Sequence, residues 1–199
     1  MSAQKHPFAF TLDEYFALER ASERRFEFND GEIVCMSGGS REHAAISRNV
    51  VRHLSNKLGG RCQAYGSDLA VYVPDGPPYR YPDASAVCGA ESFREINGLD
   101  ALENPVLLVE VLSPSSADFD RGTKFEWYKS IPTFEEYLLV AQDRPRVARR
   151  TRQADGSWNE TIHVSLEDRV ALHSLGVEIE MREIYEGVAF QERSEEAGR

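Results

Sequence analysis

A single charged residue interrupts the most apolar stretch of the sequence, residues 106–112 (VLLVEVL). Apolar side chains on both faces of this stretch predict a strand that is buried on both sides of a sheet. Glu110 would then be buried, and a buried carboxylate costs on the order of several kcal/mol unless it is paired, hydrogen-bonded or bound to a cation. Glu110 is therefore a candidate metal ligand or acid–base group. The structural alternative is a glutamate that an arginine or backbone amides satisfy.

Asp83 is a second candidate because it directly follows Pro82 within a predicted strand, residues 79–88. A proline at that position indicates an edge, a bulge or a late start of strand pairing, and a bulge can direct the next side chain into a site. Pro-Asp is also a common turn dipeptide. If the two strands are neighbours, Asp83 and Glu110 can share a hard cation, and their oxygen atoms suit Mg²⁺ or Mn²⁺.

Basic residues follow the Glu110 strand on a predicted helix, residues 118–130. Arg121, Lys124 and Tyr128 are spaced i, i+3 and i+7, which places them on one helical face. The alternative is a solvated face on which Asp120 pairs with Lys124 at i, i+4, worth about a few tenths of a kcal/mol.

Glu27 and His43 precede these candidates in the chain. Glu27 lies between Phe26 and Phe28, so it is either an inward-facing carboxylate of a site or one outward position of an amphipathic hairpin strand. His43 lies in the first turn of a predicted helix, where a lone histidine either serves a site or acts as a structural residue or weak cap.

Five arginines fall between residues 144 and 152, and three of them, Arg146, Arg150 and Arg152, share one face of a predicted strand. Such a row is either a charged strand edge that deters strand addition or a ridge that contacts phosphates. The sequence has no glycine-rich phosphate loop, no GxSxG elbow and no HExxH motif.

The elements that must position these residues begin with a helix over residues 11–22, for which Thr11 and Glu14 form a capping box. A hairpin over residues 25–36 turns at Asn29-Asp30-Gly31. Ser40 caps a second helix that runs to about residue 58, where two glycines end it.

After the second helix the apolar period changes to two, which predicts strands over residues 62–73, 79–88 and 106–112. The helix over residues 118–130 stops before Pro132. Further strands are predicted over residues 136–141, 146–152 and 157–164, and the charged residues from 192 onward are expected to fray. This order predicts one α/β or α+β domain built on a mixed sheet.

Composition excludes a fibrous or wholly disordered chain, since 41% of the 199 residues are hydrophobic and 28% are charged. The net charge of −10, concentrated in residues 154–199, argues against nucleic-acid binding by bulk electrostatics but leaves room for a local basic site.

The three cysteines, Cys35, Cys62 and Cys88, are far apart and show no disulfide framework or zinc-ligand spacing, so we expect them to be reduced and buried. The sequence has no apolar segment long enough to span a membrane and no secretory signal, which predicts a cytoplasmic protein.

Taken in order, several of these segments resemble the Uma-type family of proposed restriction endonucleases, which belongs to the PD-(D/E)XK nuclease superfamily. The matching segments are Pro82-Asp83, residues 109–115 (VEVLSPS), residues 120–124 (DRGTK) with Tyr128, Pro132, Glu136-Tyr137, residues 26–32 (FEFNDGE) and His43. The similarity covers roughly residues 10–165, and residues 166–199 form an acidic extension of a single domain, residues 1–199.

The resemblance implies a restriction endonuclease-like core of helix, three-stranded meander, helix and strand, preceded by a helix and a hairpin. It implies that Asp83 and Glu110 bind Mg²⁺ or Mn²⁺, helped by the carbonyl of Val111. The superfamily motif has a lysine two residues after the second acid, whereas this sequence has Leu112 there. Lys124 resembles the migrated replacement.

The implied activity is metal-dependent hydrolysis of phosphodiester bonds in nucleic acid, most simply DNA, with Glu27 and His43 as a further ligand or proton carrier. Arg121, Tyr128 and the three aligned arginines would contact the nucleic acid. A chain of this length shows no separate target-recognition domain, so any sequence specificity would come from loops or from a homodimer. Two alternatives remain: a catalytically silent binding or scaffold module, and a hydrolase that uses the same carboxylates without metal.

Overall fold

The core of the fold is a six-stranded sheet with helices on both faces. The structure, a computed structural model, describes residues 9–29, 31–36 and 39–190. The helices are α1 (Leu12–Ala21), α2 (Arg41–Leu58), α3 (Ala117–Phe119), α4 (Phe125–Tyr128) and α5 (Met181–Ile184), and a π-helical turn (Asp120–Lys124) joins α3 to α4. The strands are β1 (Phe26–Asn29), β2 (Glu32–Cys35), β3 (Cys62–Gly66), β4 (Ala70–Tyr72), β5 (Tyr79–Arg80), β6 (Ala84–Cys88), β7 (Phe93–Ile96), β8 (Leu99–Leu102), β9 (Leu107–Leu112), β10 (Glu136–Ala141), β11 (Val147–Arg152), β12 (Trp158–His163), β13 (Arg169–Leu172) and β14 (Val177–Glu180).

Strand order in the main sheet is β12-β11-β10-β9-β6-β3. Strands β3, β6 and β9 form an antiparallel meander, β10 adds parallel to β9, and β11 and β12 follow as antiparallel neighbours. A smaller sheet, β5-β4-β8-β7, is built from the connections between the meander strands. The predicted α+β mixed-sheet core of helix, meander, helix and strand is confirmed.

The first two helices begin and end where the sequence indicates. Thr11 and Glu14 form the capping box of α1, and the Ser40 side chain accepts the His43 amide at the start of α2. Gly59 ends α2 with a φ of 58°, a left-handed conformation that suits glycine. Hairpin β1–β2 is also as predicted, although Asp30 of its turn lies outside the described residues, as do residues 191–199 for which fraying was predicted.

Two predicted strands each divide into a pair that belongs to different sheets. Residues 62–73 form β3 and β4, and residues 79–88 form β5 and β6. Pro82 lies in the second break, where its missing amide hydrogen cannot join a ladder. Strands β7, β8, β13 and β14 were not predicted, because each is a four-residue segment with charged residues and little periodicity.

Packing on the two faces of the main sheet is different. The face toward α2 holds an aliphatic cluster that includes Ile46, Val50 and Leu54 of the helix. The opposite face, toward α4, holds an aromatic cluster around Phe125 and Tyr137. The aliphatic cluster continues through residues 170–185, so buried packing extends past residue 165; the single domain over residues 1–199 stays a prediction.

The cysteine prediction is wrong for the oxidation state of Cys62 and Cys88 and for the burial of Cys35, which is unbonded as expected. Cys62 and Cys88 form a disulfide, and Cys35 is exposed. The two bonded cysteines are directly opposite each other in the antiparallel pair β3–β6. Sequence spacing does not reveal this register, because the residues are 26 positions apart.

Within the described part of the chain, no helix combines the length and the apolar character that crossing a membrane requires.

Candidate active site

The Lys124 ammonium lies among three carboxylates that come from three parts of the chain. Its Nζ is 2.8 Å from Glu110 Oε1, 3.6 Å from Asp120 Oδ1 and 3.8 Å from Glu27 Oε1. Only 6% of the Lys124 side chain is exposed. These contacts join β9, β1 and the π-helical turn at one buried point.

The π-helical turn determines which helix residues face this point. A π-helix has a wider turn than an α-helix, with i→i+5 hydrogen bonds, and in this segment Asp120 and Lys124 are both buried whereas Arg121 is exposed. The predicted face of Arg121, Lys124 and Tyr128 is therefore wrong, since regular α-helical spacing does not hold here. The Tyr137 hydroxyl donates to the Asp120 carbonyl at 3.0 Å, which fixes this turn against β10.

Tyr128 belongs to the interior of the site. Its side chain is fully buried, and its hydroxyl donates to Glu110 Oε1 at 2.9 Å. The prediction of Tyr128 as a nucleic-acid contact is therefore corrected: it orients the Glu110 carboxylate, so that one oxygen of Glu110 accepts from both Tyr128 and Lys124.

Asp83 lies beside Glu110, where β6 begins and β9 ends. Ala84 of β6 is paired with Val109 of β9, so one further step along both strands brings Asp83 opposite Glu110. The Val111 amide donates to Asp83 Oδ2 at 2.7 Å, and His43 Nε2 lies 3.3 Å from the same oxygen. Through His43, the first turn of α2 thus contacts the Asp83 carboxylate.

Arg80 forms an ion pair with Glu27, and sequence reasoning did not identify Arg80 as part of the site. The Arg80 side chain is fully buried, lies over the Trp127 ring at 4.5 Å, and its Nη1 is 3.2 Å from Glu27 Oε2. Glu27 Oε1 then faces Lys124 and also accepts the Tyr81 amide at 3.4 Å. Glu27 therefore faces inward, which decides between the two alternatives for the hairpin strand.

Excess carboxylate sets the protonation of the site. Burial, together with the nearby Asp120 and Asp83 carboxylates, raises the pKa of Glu110 well above its usual range against the opposing effect of Lys124. Burial also raises the pKa of Asp120. Burial lowers the pKa of Lys124, but Glu110, Glu27 and Asp120 outweigh this effect and raise that pKa well above its usual value. The three carboxylates therefore favour the charged form of Lys124.

His43 responds to Asp83 in the same direction. The hydrogen bond to the Asp83 side chain raises the pKa of His43, against the opposing effect of burial. The imidazole is thus biased toward its protonated form while it contacts Asp83.

An open cleft of about 950 Å³ gives solvent access to these groups. All the predicted catalytic and metal-binding residues line it, namely Glu27, His43, Asp83, Glu110, Val111 and Lys124. Asp120, which sequence reasoning treated only as a possible partner of Lys124, lines it as well. The sequence feature that could have identified Asp120 is its four-residue spacing from Lys124. For Arg80 the only such feature is its position between two tyrosines, which is a weak indication.

The donor set of the cleft is suited to a hard divalent cation. Among residues 9–29, 31–36 and 39–190, no cluster of three or more His, Cys, Asp or Glu side chains is arranged as a metal cage. Mg²⁺, however, commonly binds through one or two carboxylates and keeps several waters. The adjacent carboxylates of Asp83 and Glu110, in an open cleft, fit that mode of binding.

The four arginines that were predicted to contact nucleic acid lie outside the cleft. Arg121, Arg146 and Arg150 line a separate hollow of about 120 Å³. Arg152 is exposed and donates to the Pro132 carbonyl at 3.1 Å.

Replacing Lys124 by methionine should lower the free energy of unfolding by about 3–5 kcal/mol at neutral pH, because the buried Glu110 and Asp120 and the partly buried Glu27 lose their common cation. The matched control is Lys129→Met, which removes a surface pair with Glu126 and should cost less than about 1 kcal/mol. Urea unfolding measures both. If both variants lose a similar amount of unfolding free energy, Lys124 is not the cation that stabilises the three carboxylates.

Comparison with known proteins shows the family of the chain. The Uma2 family, described as "Putative restriction endonuclease", matches residues 12–182. Two proteins of Synechocystis sp. are each 34% identical: uncharacterized protein slr1290 over 179 residues, 89% of this chain and 92% of its own, and uncharacterized protein sll1609 over 149 residues, 74% and 84%.

The fold also matches a solved structure, the crystal structure of a "putative nuclease belonging to DUF820" from Anabaena variabilis. The TM-score is 0.70 with 19% identity, over 88% of this chain and 97% of that one. The family match spans the meander, the π-helical turn and the strands that follow it. The resemblance found in the sequence is confirmed, and the chain belongs to the Uma2 family of restriction endonuclease-like proteins.

Proposed function

We propose that this protein hydrolyses phosphodiester bonds in nucleic acid, most simply DNA, with the help of a divalent metal ion. The observation that carries the proposal is the Lys124 ammonium, held 2.8 Å from Glu110 in a cleft that Asp83 also lines. Two adjacent carboxylates and one buried cation form a donor set suited to phosphoryl chemistry, and the family description agrees with it.

Asp83 and Glu110 would hold Mg²⁺ or Mn²⁺, with the Val111 carbonyl as a further oxygen ligand. When bound, such an ion lowers the pKa of a coordinated water and polarises a phosphoryl oxygen. The Val111 amide and His43 keep Asp83 in place, and Tyr128 keeps Glu110 in place. The two carboxylates are therefore oriented before any ligand arrives.

Lys124 would stabilise the negative charge that develops on the phosphate during the reaction. Its ammonium is already fixed by three carboxylates and shielded from water, so little reorganisation accompanies the charge change. The carboxylates also raise the pKa of Lys124, which favours its charged form.

Glu27 and His43 would act at the margin of the site. Arg80 and the Tyr81 amide hold Glu27, which sets the position of Lys124 on the hairpin side. His43 shares the oxygen of Asp83 and lines the open cleft, where it could take up or release a proton.

Mn²⁺ should raise the melting temperature of the wild-type protein by roughly 5–10 °C at a hundredfold excess over its dissociation constant. Asp83→Asn should remove most of this rise, because a neutral amide is a weaker ligand, while Asn keeps an acceptor for the Val111 amide. The matched control is Asp68→Asn, at an exposed residue paired with Arg25, which should respond to Mn²⁺ as the wild type does. Differential scanning calorimetry measures the shifts, and an equal rise in Asp83→Asn would exclude Asp83 as a ligand.

The wild-type protein should cleave at least one substrate from a panel of supercoiled, linear and single-stranded DNA and RNA, with Mn²⁺ and not with EDTA. Glu110→Gln should reduce cleavage by about two or more orders of magnitude, because the site loses one of its two proposed metal-binding carboxylates. The variant should stay folded, because an uncharged amide suits the buried position. Glu126→Gln, at an exposed glutamate of the same region, is the control. Binding of the panel without any Mn²⁺-dependent cleavage would instead support the silent binding module.

A further inference from the structure

Besides the catalytic cleft, the same face of the main sheet carries a small basic hollow of about 120 Å³. Its floor consists of buried apolar side chains, among them Leu112, Leu139, Ala141 and Ala148.

Three arginines and one glutamate surround this floor: Arg121, Arg146, Arg150 and Glu160. The rim therefore has a formal charge of +2, in a protein whose net charge is −10. Because the protein as a whole is negatively charged, it does not attract anions over long distances. An anion would therefore be held by direct contacts with the arginines of the rim.

Arg150 is fixed in place. Its Nε donates to Glu160 at 2.8 Å, its Nη1 donates to the Arg121 carbonyl at 2.7 Å, and its guanidinium lies over the Phe125 ring at 4.5 Å. A guanidinium held in one plane loses little side-chain entropy when it binds a further acceptor.

Arg121 and Arg146 are more available. Arg121 pairs with Asp118 at 3.5 Å, an exposed contact of the kind that contributes little. Arg146 is held through its backbone, where its amide donates to the Tyr185 hydroxyl at 3.0 Å, and this contact does not involve the guanidinium. The Arg121 guanidinium can therefore turn toward an incoming anion without breaking a buried interaction.

The hollow is next to the catalytic cleft. Leu112 and Arg121 line the hollow, while their chain neighbours Val111 and Asp120 line the cleft. Leu139 of the hollow is paired directly with Glu110 across β9 and β10. Adjacent strands are about 4.8 Å apart, and residues i and i+2 of one strand are about 6.6 Å apart. Arg150 lies on β11, two strands from β9, so its backbone is about 10 Å from that of Glu110, a distance that an extended arginine side chain can shorten to the spacing between successive phosphates of a nucleic-acid strand.

We propose that the rim of Arg121, Arg146 and Arg150 binds a phosphate of the substrate strand next to the phosphate that is hydrolysed. This inference rests on the proposed function for its ligand, because it assigns the hollow to the same nucleic-acid strand that enters the cleft. Arginine suits the role, since its planar group contacts phosphate oxygens in pairs. Such a contact fixes the register of the strand and carries no sequence preference.

The test is the binding of short fluorescent oligonucleotides, duplex and single-stranded DNA and RNA, to the full chain in EDTA, where no metal-dependent cleavage takes place. Arg121→Gln with Arg146→Gln should weaken binding about tenfold at low salt and reduce the slope of log affinity against log salt by about 1, the value for one lost phosphate contact. Arg121→Lys with Arg146→Lys should retain most of the slope.

The matched control is Arg169→Gln with Arg182→Gln, which removes two exposed, ion-paired arginines outside the hollow. This control should bind as the wild type does. An unchanged slope in Arg121→Gln/Arg146→Gln would overturn the proposal, as would a wild-type protein that binds none of the oligonucleotides. Thermal melting with inorganic phosphate alone tests whether the hollow binds a free anion. If phosphate stabilises the protein only when Arg146 is present, while oligonucleotide binding does not depend on Arg146, the hollow binds free phosphate. That result would overturn the proposal.

Cleavage assays with Mn²⁺ separate this inference from the proposed function. The glutamine variant should raise KM and leave kcat within about twofold, because the hollow binds the strand and does not touch the reacting phosphate. Arginine-dependent binding without wild-type cleavage would support the phosphate subsite and refute the hydrolytic function. Normal cleavage with normal KM in the glutamine variant would refute the subsite and leave the function standing.

Discussion

The buried contact of Lys124 with Glu110, Asp120 and Glu27 is the interaction on which the rest of the site depends. Carboxylates of three segments, each with a side chain that is 14% exposed or less, would repel one another at the base of the cleft, and one ammonium balances them. The arrangement holds strand β9, hairpin strand β1 and the π-helical turn together. A sequence that only needed stability could fill this volume with apolar side chains, which is one reason why we propose a chemical role for these charges.

Much of the surrounding structure supports these charged groups. Arg80 holds Glu27, Tyr128 holds Glu110, and the Val111 amide holds Asp83, each with a distance of 3.2 Å or less. The disulfide between β3 and β6 and the aliphatic cluster under α2 stabilise the meander from the other side. The site is thus built mainly on strands and a helical turn, which position side chains more accurately than loops do.

Sequence reasoning selected residues that the structure brings together in one cleft where a single position did not fit its local pattern. Glu110 was identified because it is the one charge in an apolar strand, and Asp83 because a proline precedes it. Lys124 needed the family resemblance, since the π-helical turn breaks the spacing on which helical faces are predicted. Arg80 and the pairing of Cys62 with Cys88 depend on contacts between residues far apart in the chain, and no local pattern specifies such contacts.

The most direct test of this account is a double-mutant cycle between Lys124 and Glu110, measured as the free energy of unfolding in urea without divalent metal. The cycle compares wild type, Lys124→Met, Glu110→Gln and the double variant, so that effects of each residue on its own cancel. We predict a favourable coupling of about 1–3 kcal/mol between the two side chains. A coupling within about 0.3 kcal/mol of zero would contradict the claim that this ion pair organises the site.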